Sequence, residues 1–134
     1  MTDLMANELL NEWKERLGLQ EWVIILKINQ KFEDLEQEEA IAETMSISSI
    51  KNATIRITDE KLNEGRSIKF DFEKILVHEL LHVKFGIIET DVNSYETLVT
   101  YKLQHQILDD IANALIMTKR GIIKRSDLYK ENEK

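Results

Sequence analysis

Residues 78 to 82 read His78-Glu79-Leu80-Leu81-His82, two imidazoles four positions apart with a carboxylate next to the first. On a helix, side chains at i and i+4 stand one above the other, so both ring nitrogens can reach a single Zn²⁺ at about 2.0–2.1 Å. Glu79 then points beside the metal and not at it. There it can take a proton from an attacking water and pass it to a leaving amine. The chemistry this pattern serves is zinc-assisted hydrolysis of a peptide bond. The surroundings strengthen the reading. Phe72, Ile75, Leu76, Val77, Leu80, Leu81, Val83 and Phe85 make this the most apolar stretch of the chain. Burying two histidines and a glutamate among them is costly unless the polar groups are paired, and a metal ion would pair them.

A catalytic zinc takes a third protein ligand and keeps a position open for water. The chain has three histidines in all, His78, His82 and His105, and no cysteine, so thiolate sites, disulfides and cysteine nucleophiles are excluded. Three downstream residues are candidates for the third ligand: Glu89, Glu96 and His105. Glu89 falls in a loop after Gly86, where an acid is more simply solvated. Glu96 and His105 share the last long helix, nine residues apart. At 3.6 residues per turn nine steps amount to about 900°, half a turn out of phase, so the two cannot face one metal together. His105 falls in the apolar stripe of Leu98, Tyr101, Leu108, Ala112, Leu115 and Ile116, and it is the favoured ligand. Glu96 remains the alternative if the helix begins after it or kinks. Asp109, one turn beyond His105, can hold the other ring nitrogen. Tyr101 and Tyr95 are candidate hydrogen-bond donors to a developing oxyanion, although an amphipathic tyrosine at the core edge is the commoner explanation for each.

Several elements must position these groups. Leu4, Leu9, Leu10, Trp13 and Leu17 recur at helical spacing, predicting an amphipathic helix from about Thr2 to Arg16 that Gly18 stops. Trp22 to Ile28 is short, β-branched and apolar almost throughout, the pattern of a buried strand. Glu33 to Glu43 carries six acids (Glu33, Asp34, Glu36, Glu38, Glu39 and Glu43) and no base, which reads as a solvated loop or short exposed helix. Ile41 to Ile50 and Ala53 to Thr58 alternate around a Lys51-Asn52 turn and form a hairpin, with Ile55 and Ile57 inward and Thr54, Arg56 and Thr58 outward. Asp59 to Arg66 is a connection with room for one helical turn. The motif helix follows, Phe70 to Phe85, with Asp71 and Glu73 suited to its start and Gly86 to its end. A last helix runs from about Asn93 to Lys119, and the chain beyond about residue 120 frays. The fold class is α+β: an N-terminal helix, a short three-stranded mixed or antiparallel sheet, the buried motif helix and a long C-terminal helix.

At 134 residues the chain fits a single domain spanning 1–134, of ordinary globular composition with 43% hydrophobic and 32% charged residues. A net charge of −7 argues against a phosphate backbone as partner. The acidic start is unlike a signal peptide and no apolar run approaches a membrane span, so no membrane association is expected and the cytoplasm is the expected compartment.

Taken together these residues resemble the zincin metallopeptidases, and among them the very small ones encoded in bacteria and their phages. The resemblance covers about two thirds of the chain, from the first strand to the last helix. It implies that His78 and His82 bind zinc, that Glu79 is the general base, and that an edge strand above the cleft pairs with substrate backbone. That strand is assigned to Thr54, Ile55, Arg56 and Ile57. The segment from Leu103 to Ala112 is similar to the third-ligand helix of small phage zincin-like proteins, where a glutamate often stands at the place of His105. The metzincin pattern is absent, since Phe85 and Ile88 occupy the positions of its glycine and third histidine.

The expected function is thus a zinc-dependent peptidase acting on a peptide or protein. The alternative is a zinc-stabilised interaction module, such as a phage protein that binds a host factor without turnover. A DNA-linked SprT-like peptidase also uses three histidines, but the basic residues Lys119, Arg120, Lys124 and Arg125 are more simply charges that complement a helix C-terminus.

Overall fold

The computed structural model describes residues 1–37, 40–86 and 95–129, with backbone alone for 95–98 and 101. It comprises two compact units, Met1–Glu89 and Thr90–Lys134.

The first unit opens with helix α1, Asp3–Arg16, whose N-cap is Thr2: its Oγ1 accepts from the Met5 N–H at 3.2 Å. Gly18 ends it. Its φ of +69° lets the Leu19 N–H reach back to the Lys14 carbonyl at 2.7 Å, a turn that a β-carbon would strain. Ala6, Leu10 and Trp13 are buried along one face, and the Trp13 indole N–H donates to Glu73 Oε2 at 2.8 Å, tying α1 to the motif helix.

Three strands follow: β1 (Val23–Gln30), β2 (Ala42–Ile47) and β3 (Asn52–Thr58). Their order is β1-β3-β2, with β1 parallel and β2 antiparallel to β3, so the sheet is mixed. The β2–β3 connection is a 3-10 turn, Ser48–Ile50, closed by Lys51 in the left-handed region. Ile55 and Ile57 are buried, as their alternation predicts.

Three sequence expectations are corrected here. The segment Thr54, Ile55, Arg56 and Ile57 is not an edge: β3 is the central strand and pairs on both sides, because the parallel strand β1 takes the place beside it that the hairpin leaves open. Nor is β1 a buried strand. Its burial alternates, with Val23 60% and Ile25 54% exposed. Through the register these two share the outward face with Thr54, Met45 and Ile47, while Leu26, Ile55 and Thr44 line up on the other face. Near its end β1 carries one extra residue relative to β3, between Lys27 and Gln30, where Asn29 adopts φ +52°. Finally, Thr58 does not face outward. It is buried, and its hydroxyl donates to the Ile41 carbonyl at 2.6 Å and accepts from Asn63 Nδ2 at 2.9 Å.

The acidic stretch also resolves differently from its composition. Phe32–Asp34 forms a 3-10 turn, but Glu43 is buried within β2. Its carboxylate accepts from the backbone N–H groups of Glu36, at 3.0 Å, and Gln37, at 3.4 Å, and lies 3.6 Å from Arg56 Nη1. A carboxylate satisfied in this way anchors the loop to the strand. Glu38 and Glu39 lie outside the described residues.

Helix α2, Phe72–Phe85, carries the motif. Asp71 caps it by accepting from the Lys74 N–H at 3.2 Å. Gly86 stands at its C-cap with right-handed backbone angles, so it does not stop the helix by a left-handed turn. What the missing side chain allows is close approach: a β-carbon there would lie 3.3 Å from Ser46 Oγ.

In the second unit, helix α3 spans Tyr95–Arg120 and ends at Gly121, φ +68°, with the Ile122 N–H bonded to the Met117 carbonyl at 2.9 Å. Beyond it the chain carries a 3-10 turn, Arg125–Tyr129, with Leu128 buried and Arg125 paired with Asp110 at 2.8 Å. Residues 130–134 lie outside the described part. No helix among the described residues is long and apolar enough to cross a membrane.

Candidate metal centre

The motif falls mid-way along α2, where the apolar residues around it are buried: Leu76, Val77, Leu80, Leu81 and Val83. His78 and His82 project from one side of the helix, half-buried. Their Nε2 atoms stand 3.1 Å apart, and the rings meet edge to face with centroids 4.9 Å apart. Two nitrogens coordinated tetrahedrally at Zn–N distances of 2.0–2.1 Å lie roughly 3.3 Å apart, so this spacing matches an ion's demand closely. The helix backbone alone brings the pair together, as the i, i+4 spacing predicts.

Among the described residues, one group of His, Cys, Asp or Glu side chains is gathered tightly enough to hold a metal: His78, His82 and His105, whose ligand atoms all lie within 4.8 Å of one another. All three are half-buried. The donor set is three imidazoles with no thiolate, which fits a borderline-soft divalent ion such as zinc, and three protein ligands are the number that leaves a coordination position for water or substrate.

Glu79 is 7% exposed and does not belong to that group. Its Oε2 accepts a hydrogen bond of 2.5 Å from the hydroxyl of Thr44, on β2. Sequence reasoning missed Thr44. It belongs to no motif, and only the pairing of β2 with β3 and the packing of α2 on the sheet bring it to the carboxylate.

The remaining candidates lie in the second unit or outside the description. On α3, Leu108, Ala112 and Ile116 are buried, in keeping with the stripe that marks His105. Glu96 sits inside α3, which begins one residue earlier, so the condition that the helix start after it is not met. The side chains of Glu96, Tyr95 and Tyr101 are outside the described residues, as is Glu89 altogether. Asp109 is half-buried one turn beyond His105. Arg125, one of the four basic residues near the C-terminus, is bonded to Asp110.

Comparison of the chain with protein-family models, with curated proteins and with solved structures finds no match. The site therefore rests on its own geometry.

Proposed function

We propose that the protein is a zinc-dependent peptidase in which His78, His82 and His105 hold the metal and Glu79 is the general base. The reading is carried by the convergence of three imidazoles to within 4.8 Å of one another, with a buried carboxylate next in sequence to the first. A structural site has no need of that carboxylate, whereas hydrolysis has a specific use for it. When bound, zinc supplies the positive charge that polarises the scissile carbonyl and acidifies water. Glu79 accepts the proton of the attacking water and returns it to the departing amine. The three imidazoles act as ligands through their ring nitrogens. An extended peptide adding to the sheet has β2 as its docking strand, since Thr44 of that strand touches the base; main-chain hydrogen bonds would hold the substrate there. Asp109, one turn beyond His105 on α3, orients the His105 ring.

The test is metal content together with turnover of a fluorogenic peptide library. The wild type and Glu79→Gln are expected to carry about one zinc per chain, with hydrolysis lost in the variant by roughly 100-fold or more. Equal turnover in the two proteins overturns the reading. Zinc retained without turnover, coupled to a melting temperature that falls on chelation, supports a zinc-stabilised interaction module instead. In the same series His105→Ala loses the metal and Glu96→Ala keeps it; the reverse outcome transfers the third ligand to Glu96.

A further inference from the structure

We propose that Thr44 is a positioning residue for the catalytic base, an inference that rests on the peptidase reading above. Its hydroxyl donates to Glu79 Oε2 at 2.5 Å, and the same hydroxyl oxygen lies 3.4 Å from the Glu79 backbone carbonyl. The glutamate is 7% exposed. A glutamate side chain has three rotatable bonds, and a base must present one particular oxygen to the water it deprotonates. Occupying Oε2 from the strand fixes the plane of the carboxylate and leaves Oε1 to act.

The strand is itself held in place for this. Thr44 pairs in register with the fully buried Ile55 and lies on the opposite face of β2 from Glu43 and Met45. Two residues on, Ser46 comes so close to α2 that a β-carbon at Gly86 would stand 3.3 Å from its Oγ. Positions 79 and 86 differ by seven residues, about 20° short of two full turns, and so share one side of the helix. The strand therefore meets the Glu79 side of α2 at two points, and Thr44 is the one that reaches the functional group. Because β2 is paired on one side only within the sheet, the strand that would receive a peptide also holds the base that would act on it.

The experiment compares the zinc-loaded wild type with Thr44→Val, which keeps the shape and removes the hydroxyl, Thr44→Ser, which keeps the hydroxyl, and Glu79→Gln. Zinc content, melting temperature, kcat and KM on the most readily cleaved member of a peptide library, and calorimetric affinity for a peptide hydroxamate are measured on each. Thr44→Val is expected to keep zinc and to lose about tenfold or more in kcat, with KM within about twofold. Hydroxamate affinity, which draws on the same carboxylate, falls by roughly fivefold or more, and Thr44→Ser restores both. Wild-type kcat and hydroxamate affinity in Thr44→Val, in a protein that Glu79→Gln silences, overturn the inference and leave the peptidase reading standing. Loss of zinc or of folding in Thr44→Val, with Thr44→Ser normal, also overturns it and makes the threonine structural. A zinc-loaded wild type without turnover removes the peptidase reading and this inference together.

Discussion

Buried carboxylates in this chain divide by what their oxygens accept. Glu79 takes one hydrogen bond from a threonine and has a second oxygen available for chemistry. Glu43 is satisfied by two backbone N–H groups and faces a guanidinium. Composition places Glu43 with the solvated acids of residues 33 to 43, yet its position in β2 gives it the opposite role. Glu43→Gln would turn an amide N–H₂ toward the backbone donors and leave Arg56 without its counter-charge. The expected cost is about 1–3 kcal/mol, read as a lower urea midpoint with an unchanged slope. A midpoint equal to that of the wild type would show the carboxylate to be dispensable. The motif residues, by contrast, were legible from the sequence, because an i, i+4 pair of histidines converges on any helix regardless of what the helix packs against.

At the scale of elements, helices were read more faithfully than strands. Capping and glycine signals bound α1 at Thr2 and Gly18 and start α2 at Asp71, all through interactions local in sequence. Strand order is not local. The apolar run of β1 reads as buried from sequence, but the strand lies at an edge of the sheet with Val23 and Ile25 on the open face. The hairpin strand β3, not β1, takes the centre and buries Ile55 and Ile57 completely. This difference is measurable. Ile25→Thr is expected to change stability by no more than about 0.5 kcal/mol, whereas Ile55→Ala should cost about 2–5 kcal/mol through the cavity it leaves. Chemical denaturation of the two variants side by side checks this, and a large loss in Ile25→Thr would mean that the outward face is covered in solution.

At the scale of the whole molecule, a metal held by His78, His82 and His105 would act on the stability of the fold. A ligand that binds the native state alone stabilises it by mass action, about 4 kcal/mol at a free concentration a thousandfold above Kd. For a chain of this length the melting temperature should rise on the order of 10 °C with zinc and fall back with a chelator. His82→Ala should show no such response. A wild-type melting temperature indifferent to zinc would remove the metal from the proposed function.

By itself the sequence determined the mixed helix and strand content, the histidine pair with its neighbouring glutamate, and the inward stripe around His105, because each depends on periodicities of 3.6 or 2 residues that the chain carries locally. Tertiary structure alone decided which strand is central, where Glu43 finds its partners, and that Thr44 reaches Glu79. Those depend on pairings between residues far apart in the chain, such as Thr44 and Glu79, and no local pattern encodes which of several compatible strand orders buries the most apolar surface and satisfies the most polar groups.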